Sequence, residues 1–99
     1  MANSGITSSK YEICDIFGWY IIHKDGIEYL RFPKLHTPKE EVEQICKALN
    51  KRKQYVLIDR GNAWQVFDTK QRGVGKIISK QTFNKKQMEQ LVRDMNNGL

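Results

Sequence analysis

The sequence predicts an α+β protein made of two tandem β-β-β-α repeats, in which one amphipathic helix braces each antiparallel three-stranded sheet. Two observations support this fold class. Residues 42–50 and 88–96 both carry apolar side chains at positions i, i+3, i+4 and i+7, the spacing that lines one face of a helix. Each of these segments follows three short runs rich in aromatic and β-branched residues, which are typical of β-strands. The chain therefore encodes the same order of elements twice.

The first repeat contains clear signals for its turn and for its helix. Its strands are predicted at residues 11–16, 19–24 and 27–32. Asp25 and Gly26 form a pair that favours a two-residue hairpin turn in which both central φ values are positive. Thr37 suits the N-cap of a helix and Pro38 suits its first position, so we expect a helix over about residues 38–51.

The second repeat follows the same order with small shifts in spacing. Its strands are predicted at residues 55–60, 63–68 and 74–80. Asn84 can cap the last helix, and Gln87 completes a capping box. Tyrosine opens the first strand of both repeats, and tryptophan occurs on the second strands as Trp19 and Trp64. These correspondences predict a duplicated unit.

The repeats define the domain organisation that we expect. Residues 1–10 are small and polar and are predicted to be a disordered tail. The first repeat covers residues 11–52 and the second covers residues 53–97, with only a short basic connector between them. Because one small sheet and one helix bury little apolar surface alone, we expect the two repeats to pack as one compact unit.

Composition excludes several classes of protein. No apolar run approaches the roughly 18 residues that span a bilayer, and the first residues lack the apolar core of a signal peptide, so we expect a cytoplasmic protein with no membrane partner. Cys14 and Cys46 are expected to be buried free thiols. His23 and His36 fit no zinc-binding pattern, and the chain has no nucleophile motif or glycine-rich phosphate loop. We therefore expect no enzymatic activity, no small-molecule substrate, no metal and no cofactor.

Charge is distributed unevenly between the two halves of the chain. Residues 1–50 contain six Lys and Arg and seven Asp and Glu, a net charge of −1. Residues 51–99 contain eleven and four, a net charge of +7. A strongly basic half is typical of proteins that bind polyanions. We therefore predict that the second repeat binds nucleic acid, with DNA favoured over RNA.

The predicted order of elements resembles two kinds of DNA-binding module. The residues that carry the resemblance are 18–20, 26–32 and 37–50, repeated from residue 64 to residue 96. They are similar in topology to the plant ethylene-response-factor-type DNA-binding domain and to the amino-terminal arm-binding domain of tyrosine integrases. The resemblance implies a sheet laid in the major groove of duplex DNA with a helix behind it. Those families carry arginines on their first two strands, where the first repeat has Glu12 and Asp15, so the second repeat is the expected binder.

Strand alternation suggests which side chains would contact the nucleic acid. Because Trp64 is expected to face the last helix, Gln65 and Phe67 should face away from it. Lys76 and Ile78 are expected on this outer face as well. Gln65 is a candidate for pairing with a base, and Phe67 is a candidate for apolar contact. The candidate phosphate contacts are Arg60, Lys70, Arg72, Lys76, Lys80, Lys85 and Lys86.

Two other functions are open on the sequence alone. Residues 38–96 have an α-β-β-β-α order that resembles double-stranded RNA-binding domains, and this resemblance places Lys85 and Lys86 at phosphates across the RNA major groove. The other function is a protein-interaction or inhibitor module, in which an apolar patch on the outer face of the first sheet binds a protein partner or forms a homodimer. The residues predicted for this patch are Tyr20, Ile22 and Tyr29.

Overall fold

The computed structural model describes residues 10–98, apart from the side chains of Gly73 and Val74. Its elements are β1 (Tyr11–Ile16), β2 (Trp19–Lys24), β3 (Ile27–Pro33), α1 (Lys39–Asn50), β4 (Tyr55–Asp59), β5 (Ala63–Asp68), β6 (Gly73–Ser79) and α2 (Lys85–Asn96). The strands form two antiparallel sheets in the orders β1-β2-β3 and β4-β5-β6, each followed by one helix. The predicted α+β fold class is therefore confirmed. The tail predicted at residues 1–10 lies outside the described residues, except for Lys10.

The chain divides into two units, of which the first ends at Asn50 and the second begins at Lys51. This boundary coincides with the change in net charge from −1 to +7 and lies close to the predicted boundary between the repeats. That the two units pack as one body stays a prediction. Neither helix within residues 10–98 has the length and apolar character needed to cross a membrane.

Helix α1 belongs to the first unit, where it packs on β1 and β2. The division of the chain therefore falls inside residues 38–96, the stretch with the double-stranded RNA-binding order of elements, and does not favour that alternative, while RNA binding itself stays a prediction. That order would require α1 to pack with β4, β5 and β6, whereas the chain divides between α1 and β4.

The same side-chain clamp closes both units. The backbone N–H of Tyr11 donates to Oδ1 of Asn50 at 2.7 Å, and Nδ2 of Asn50 donates to the carbonyl oxygen of Tyr11 at 2.9 Å. Tyr55 and Asn96 form the same two bonds, at 2.7 and 2.9 Å. In each unit the last residue of the helix therefore holds the first residue of the sheet, and the two tyrosines occupy equivalent positions.

Turns and caps follow the sequence signals closely. Asp25 and Gly26 have φ values of 55° and 79°, as predicted for the hairpin turn. Asn84 and Gln87 form the predicted capping box at the start of α2. Helix α1 begins one residue later than expected, because Pro38 precedes the helix and its carbonyl oxygen accepts hydrogen bonds from the first turn.

In both sheets the pairing of the second and third strands shifts by one residue, at equivalent positions. The register shifts between Ile22 and His23 in the first sheet and between Val66 and Phe67 in the second. In the second sheet the extra residue is Gly75 of β6, where an added Cβ would lie 2.8 Å from the carbonyl oxygen of Val66. Because a bulge adds one residue to one strand, it reverses the faces on which all later side chains lie.

The core of the second unit lies between its sheet and α2. The buried residues of this core are Trp64, Val66, Met88 and Val92. The indole N–H of Trp64 donates to the carbonyl oxygen of Phe83 at 2.9 Å, so the polar atom of this buried ring is satisfied. In the first unit, Ile22 takes the place equivalent to Val66 and is 0% exposed.

Candidate nucleic-acid interface

Lys80 follows β6 and lies between a carboxylate and an aromatic ring. Its Nζ is 2.6 Å from Oδ1 of Asp59 and 4.4 Å from the centroid of the Trp64 ring. The hydrogen bond from Lys80, followed by the hydrogen bond from the backbone N–H of Gly61, lowers the pKa of Asp59. The position of the Lys80 ammonium is therefore fixed by two partners.

An equivalent arrangement occurs in the first unit. Lys34 forms an ion pair with Asp15, and its Nζ lies 5.3 Å from the centroid of the Tyr20 ring. Each lysine follows the third strand of its sheet, and each aspartate belongs to the first strand. This combination of aspartate, lysine and aromatic ring is therefore part of the repeated framework.

Four cationic residues lie at one end of the second unit, which we call the basic end. It is defined by Arg60, Lys80, Lys85 and Lys86. Arg60 follows β4 and donates its backbone N–H to the carbonyl oxygen of Ala63 at 2.9 Å. The start of α2 lies at the same end, since the positive charge of Lys85 contributes to lowering the pKa of Asp59. Lys85 and Lys86 are both exposed.

The charges of Lys85 and Lys86 oppose the dipole of α2. The N-terminus of a helix carries a partial positive charge, and a like charge there is unfavourable by about 0.3–1 kcal/mol. Helix α2 has no acidic residue in its first turn, whereas α1 has Glu40 and Glu41 there. Both helices begin with a lysine, Lys39 and Lys85, but two glutamates follow in α1 whereas Lys86 and a neutral glutamine follow in α2. The first turn of α2 is therefore net positive, and the basic end is suited to bind an anion.

Lys70 and Arg72 lie at the opposite end of the second sheet. They belong to the turn between β5 and β6, where the carboxylate of Asp68 accepts hydrogen bonds from the backbone N–H groups of Lys70 and Gln71 at 3.0 and 3.2 Å. Strand β5 separates this turn from the basic end by a length of roughly 17–20 Å. The seven predicted phosphate contacts are therefore not one cluster.

The predicted positions of Lys76 and Ile78 on the outer face are wrong. Ile78 pairs with Trp64 and packs against the core on the side of α2. Lys76 also lies on that side of the sheet, because the bulge moves the register by one residue. Ile77, which is 64% exposed, pairs with Gln65 instead.

Gln65 and Phe67 do face away from α2, but both are buried in the structure, which does not favour their predicted contacts with bases. Gln65 is 4% exposed and Phe67 is 5% exposed. Oε1 of Gln65 accepts a hydrogen bond from Nε of Arg60, so this amide already has a partner within the chain. Their neighbours across the sheet, Ile58 and Val56, are buried as well. This face therefore presents no side chain from β5 that could read a base.

The predicted apolar patch of Tyr20, Ile22 and Tyr29 is also wrong. Ile22 is 0% exposed, and Tyr20 and Tyr29 are half-buried. Tyr20 pairs with Asp15 across the first sheet, and Trp64 pairs with Asp59 across the second. Tyr20, and not Trp19, is therefore the counterpart of Trp64. The predicted alignment of the two tryptophans was one residue out of step, which reversed the faces of β2.

An exposed apolar cluster that sequence reasoning missed lies at the end of the first unit that is equivalent to the basic end. We call it the apolar end. It comprises Ile16, Phe17, Trp19 and Leu35, which are 43%, 99%, 36% and 87% exposed. The signal in the sequence was an aromatic residue within a tight turn, Phe17-Gly18, where polar residues are usual.

The cysteines and the metal-binding residue types form no site among the described residues. Cys46 is buried and Cys14 is half-buried, and both are free thiols. Burial raises the pKa of the Cys46 thiol, which also contacts the carbonyl oxygen of Tyr11 at 3.3 Å. Within residues 10–98, no three His, Cys, Asp or Glu side chains are grouped to hold a metal ion.

Comparison with known proteins leaves the geometry as the only guide to function. Neither a family model, nor a curated protein sequence, nor a solved structure matches this chain. The resemblance in element order to DNA-binding modules therefore stays a prediction, and any function has to be argued from the charges and exposures of the two ends.

Proposed function

We propose that this protein binds nucleic acid, without catalysis, through phosphate contacts made by the basic end of its second unit. The observation that carries the proposal is the pair Lys85-Lys86 in the first turn of α2, which has no acidic residue, whereas the first turn of α1 has one lysine followed by Glu40 and Glu41. Lysines at a helix N-terminus reduce stability in the free protein, and a bound phosphate would remove this unfavourable interaction. The net charge of +7 in the same unit would attract a polyanion over a longer range.

The proposed mode of binding is electrostatic and depends little on base sequence. Phosphate contacts position a protein on nucleic acid, whereas specificity comes from side chains that reach base edges. Since Gln65 and Phe67 are buried, the proposal contains no base contact from β5. Duplex DNA is the favoured target because of the resemblance in element order, and the cytoplasm is the proposed location.

A salt titration tests the proposal. The full chain is titrated into labelled duplex DNA, duplex RNA and single strands, with binding followed by fluorescence anisotropy. We expect the logarithm of the association constant to fall with the logarithm of salt concentration, with a slope of about −3 for the three phosphate contacts of Arg60, Lys85 and Lys86, since Lys80 is paired with Asp59. Absence of binding to all of these ligands at about 50 mM salt would refute the proposal.

Two double variants of equal charge locate the interface. Lys85→Ala with Lys86→Ala should reduce the magnitude of the salt slope by about 2 and weaken binding at least tenfold. Lys39→Ala with Lys47→Ala removes the same charge from exposed positions of α1 and should leave the slope unchanged. Equal losses in both variants would show that binding follows net charge alone and would contradict the assignment to the basic end.

A further inference from the structure

We infer that the apolar end of the first unit is a self-association surface through which two copies of the chain form a dimer. The backbone places the four residues near one another. Ile16 and Trp19 are cross-strand partners on either side of the turn at Phe17. The backbone N–H of Lys34 donates to the carbonyl oxygen of Gly18 at 3.1 Å, which holds Leu35 beside that turn.

The exposed area of this end fits a dimer interface of ordinary size. Phe17 is 99% exposed, and a fully exposed aromatic side chain presents about 200 Å². The four side chains together expose on the order of 400–500 Å² of mostly apolar surface, a large patch for a chain of this size. A standard interface covers about 800 Å² on each partner, and roughly 60% of it is apolar. Two copies related by a twofold axis would therefore bury the apolar end against itself.

The charges near the apolar end favour a second copy of the chain as the binding partner, rather than a polyanion or an anionic lipid surface. Among the described residues, two cations near the apolar end are paired, Lys34 with Asp15 and Arg31 with Glu28 at 2.7 Å. The Arg31 guanidinium also lies 4.9 Å from the centroid of the Trp19 ring. This surface is therefore nearly neutral, so two copies can meet here without the repulsion that the basic second unit would cause.

Dimerisation is an interaction beyond the proposed nucleic-acid binding and does not depend on it. A dimer would carry two basic ends, so its binding to a long polyanion would gain from the linkage of two sites. The dimer itself is measured without nucleic acid. Failure of the dimer and failure of nucleic-acid binding are therefore separate outcomes.

Sedimentation velocity of the full chain at about 1–500 µM tests the dimer. We expect the mass to rise with concentration from 11.6 kDa to about twice that value. The double variant Phe17→Ser with Leu35→Ser should raise the dissociation constant at least 100-fold, because two nearly fully exposed side chains of each copy would no longer be buried. Ile27→Ser is the matched control, since Ile27 is 72% exposed at the other end of the same sheet.

The result that supports the dimer is a loss of association in the double variant with association intact in Ile27→Ser. A wild-type chain that stays monomeric over the whole concentration range overturns the inference. It does so even if the monomer binds phosphatidylcholine or phosphatidylserine vesicles, a nucleic acid or another protein. Equal association of the double variant and the wild type also overturns it, as does an equal loss in Ile27→Ser. Circular dichroism of both variants should match the wild type, because the substituted side chains are exposed.

Discussion

Replacing Asn96 with alanine removes both hydrogen bonds that hold the start of β4 against the end of α2. The side chain accepts from the N–H of Tyr55 at 2.7 Å and donates to the carbonyl oxygen of Tyr55 at 2.9 Å, in a partly buried place. Each bond contributes about 1 kcal/mol net, and a partly buried group left without a partner costs about 1 kcal/mol more. We therefore expect Asn96→Ala to lower the free energy of unfolding by about 2–3 kcal/mol, or to lower the Tm by roughly 10 °C or more.

Urea unfolding measures this loss, and the repeat supplies matched variants. Trp64 is buried in the second unit and Trp19 belongs to the first, so their fluorescence can be followed separately in single-tryptophan variants. Asn50→Ala removes the same two bonds from an exposed site, where water can replace them, and we expect a smaller loss of about 1 kcal/mol. Asn97→Ala changes an exposed side chain at the end of α2 and should stay within about 0.5 kcal/mol of the wild type.

The order of these three losses decides whether the clamp stabilises the fold. A loss in Asn96→Ala no larger than that in Asn97→Ala would refute the reasoning, because water would then replace the clamp fully. A loss in Asn50→Ala larger than that in Asn96→Ala would contradict the part that burial plays in the argument.

Two further predictions concern the second unit. Gly75→Ala should destabilise it by about 1–3 kcal/mol in urea unfolding, since the new Cβ would lie 2.8 Å from the carbonyl oxygen of Val66, and an unchanged midpoint would show that the bulge relaxes freely. The lowered pKa of Asp59 means that its pair with Lys80 stabilises the fold above the unfolded pKa of about 4 and that this contribution is lost as the pH falls through the lower folded value. The stability difference between the wild type and Asp59→Asn should therefore shrink as the pH falls from neutral through the lowered folded pKa of Asp59, and a difference independent of pH would contradict this linkage.

Local signals in the sequence predicted the elements well because each signal acts over a few residues. The asparagine cap of α2 and the positive φ values at Asp25 and Gly26 depend only on neighbouring atoms, and both were predicted correctly. The faces of the side chains of β6 were predicted wrongly, because simple alternation from the preceding turn places Lys76 opposite Gln65. The bulge at Gly75 moves the pairing by one residue and places Ile77 there. A glycine inside a strand was the signal for this bulge.

The candidate site was only partly predictable for a related reason. Alternation along β5 assigned Gln65 and Phe67 to the correct face, but a pattern of period two does not tell whether that face is exposed. Both side chains are buried, which the spacing of residues along one strand does not encode. Lys85 and Lys86 were predictable because the first turn of a helix is exposed and its dipole has a fixed direction.

The contact made by Lys80 belongs to the framework that both units share, and not to the features in which they differ. Lys34 and Lys80 each pair with an aspartate of the first strand and lie over an aromatic ring, although one of these ends is apolar and the other is basic. Because the same contact forms at the apolar end and at the basic end, its role is to stabilise the fold. Lys80 therefore adds positive charge to the basic end, but it can bind a phosphate directly only if its pair with Asp59 breaks. Lys85 and Lys86 are exposed and lie outside this repeated contact, although the charge of Lys85 acts on Asp59, so their substitution tests nucleic-acid binding with little effect on the fold.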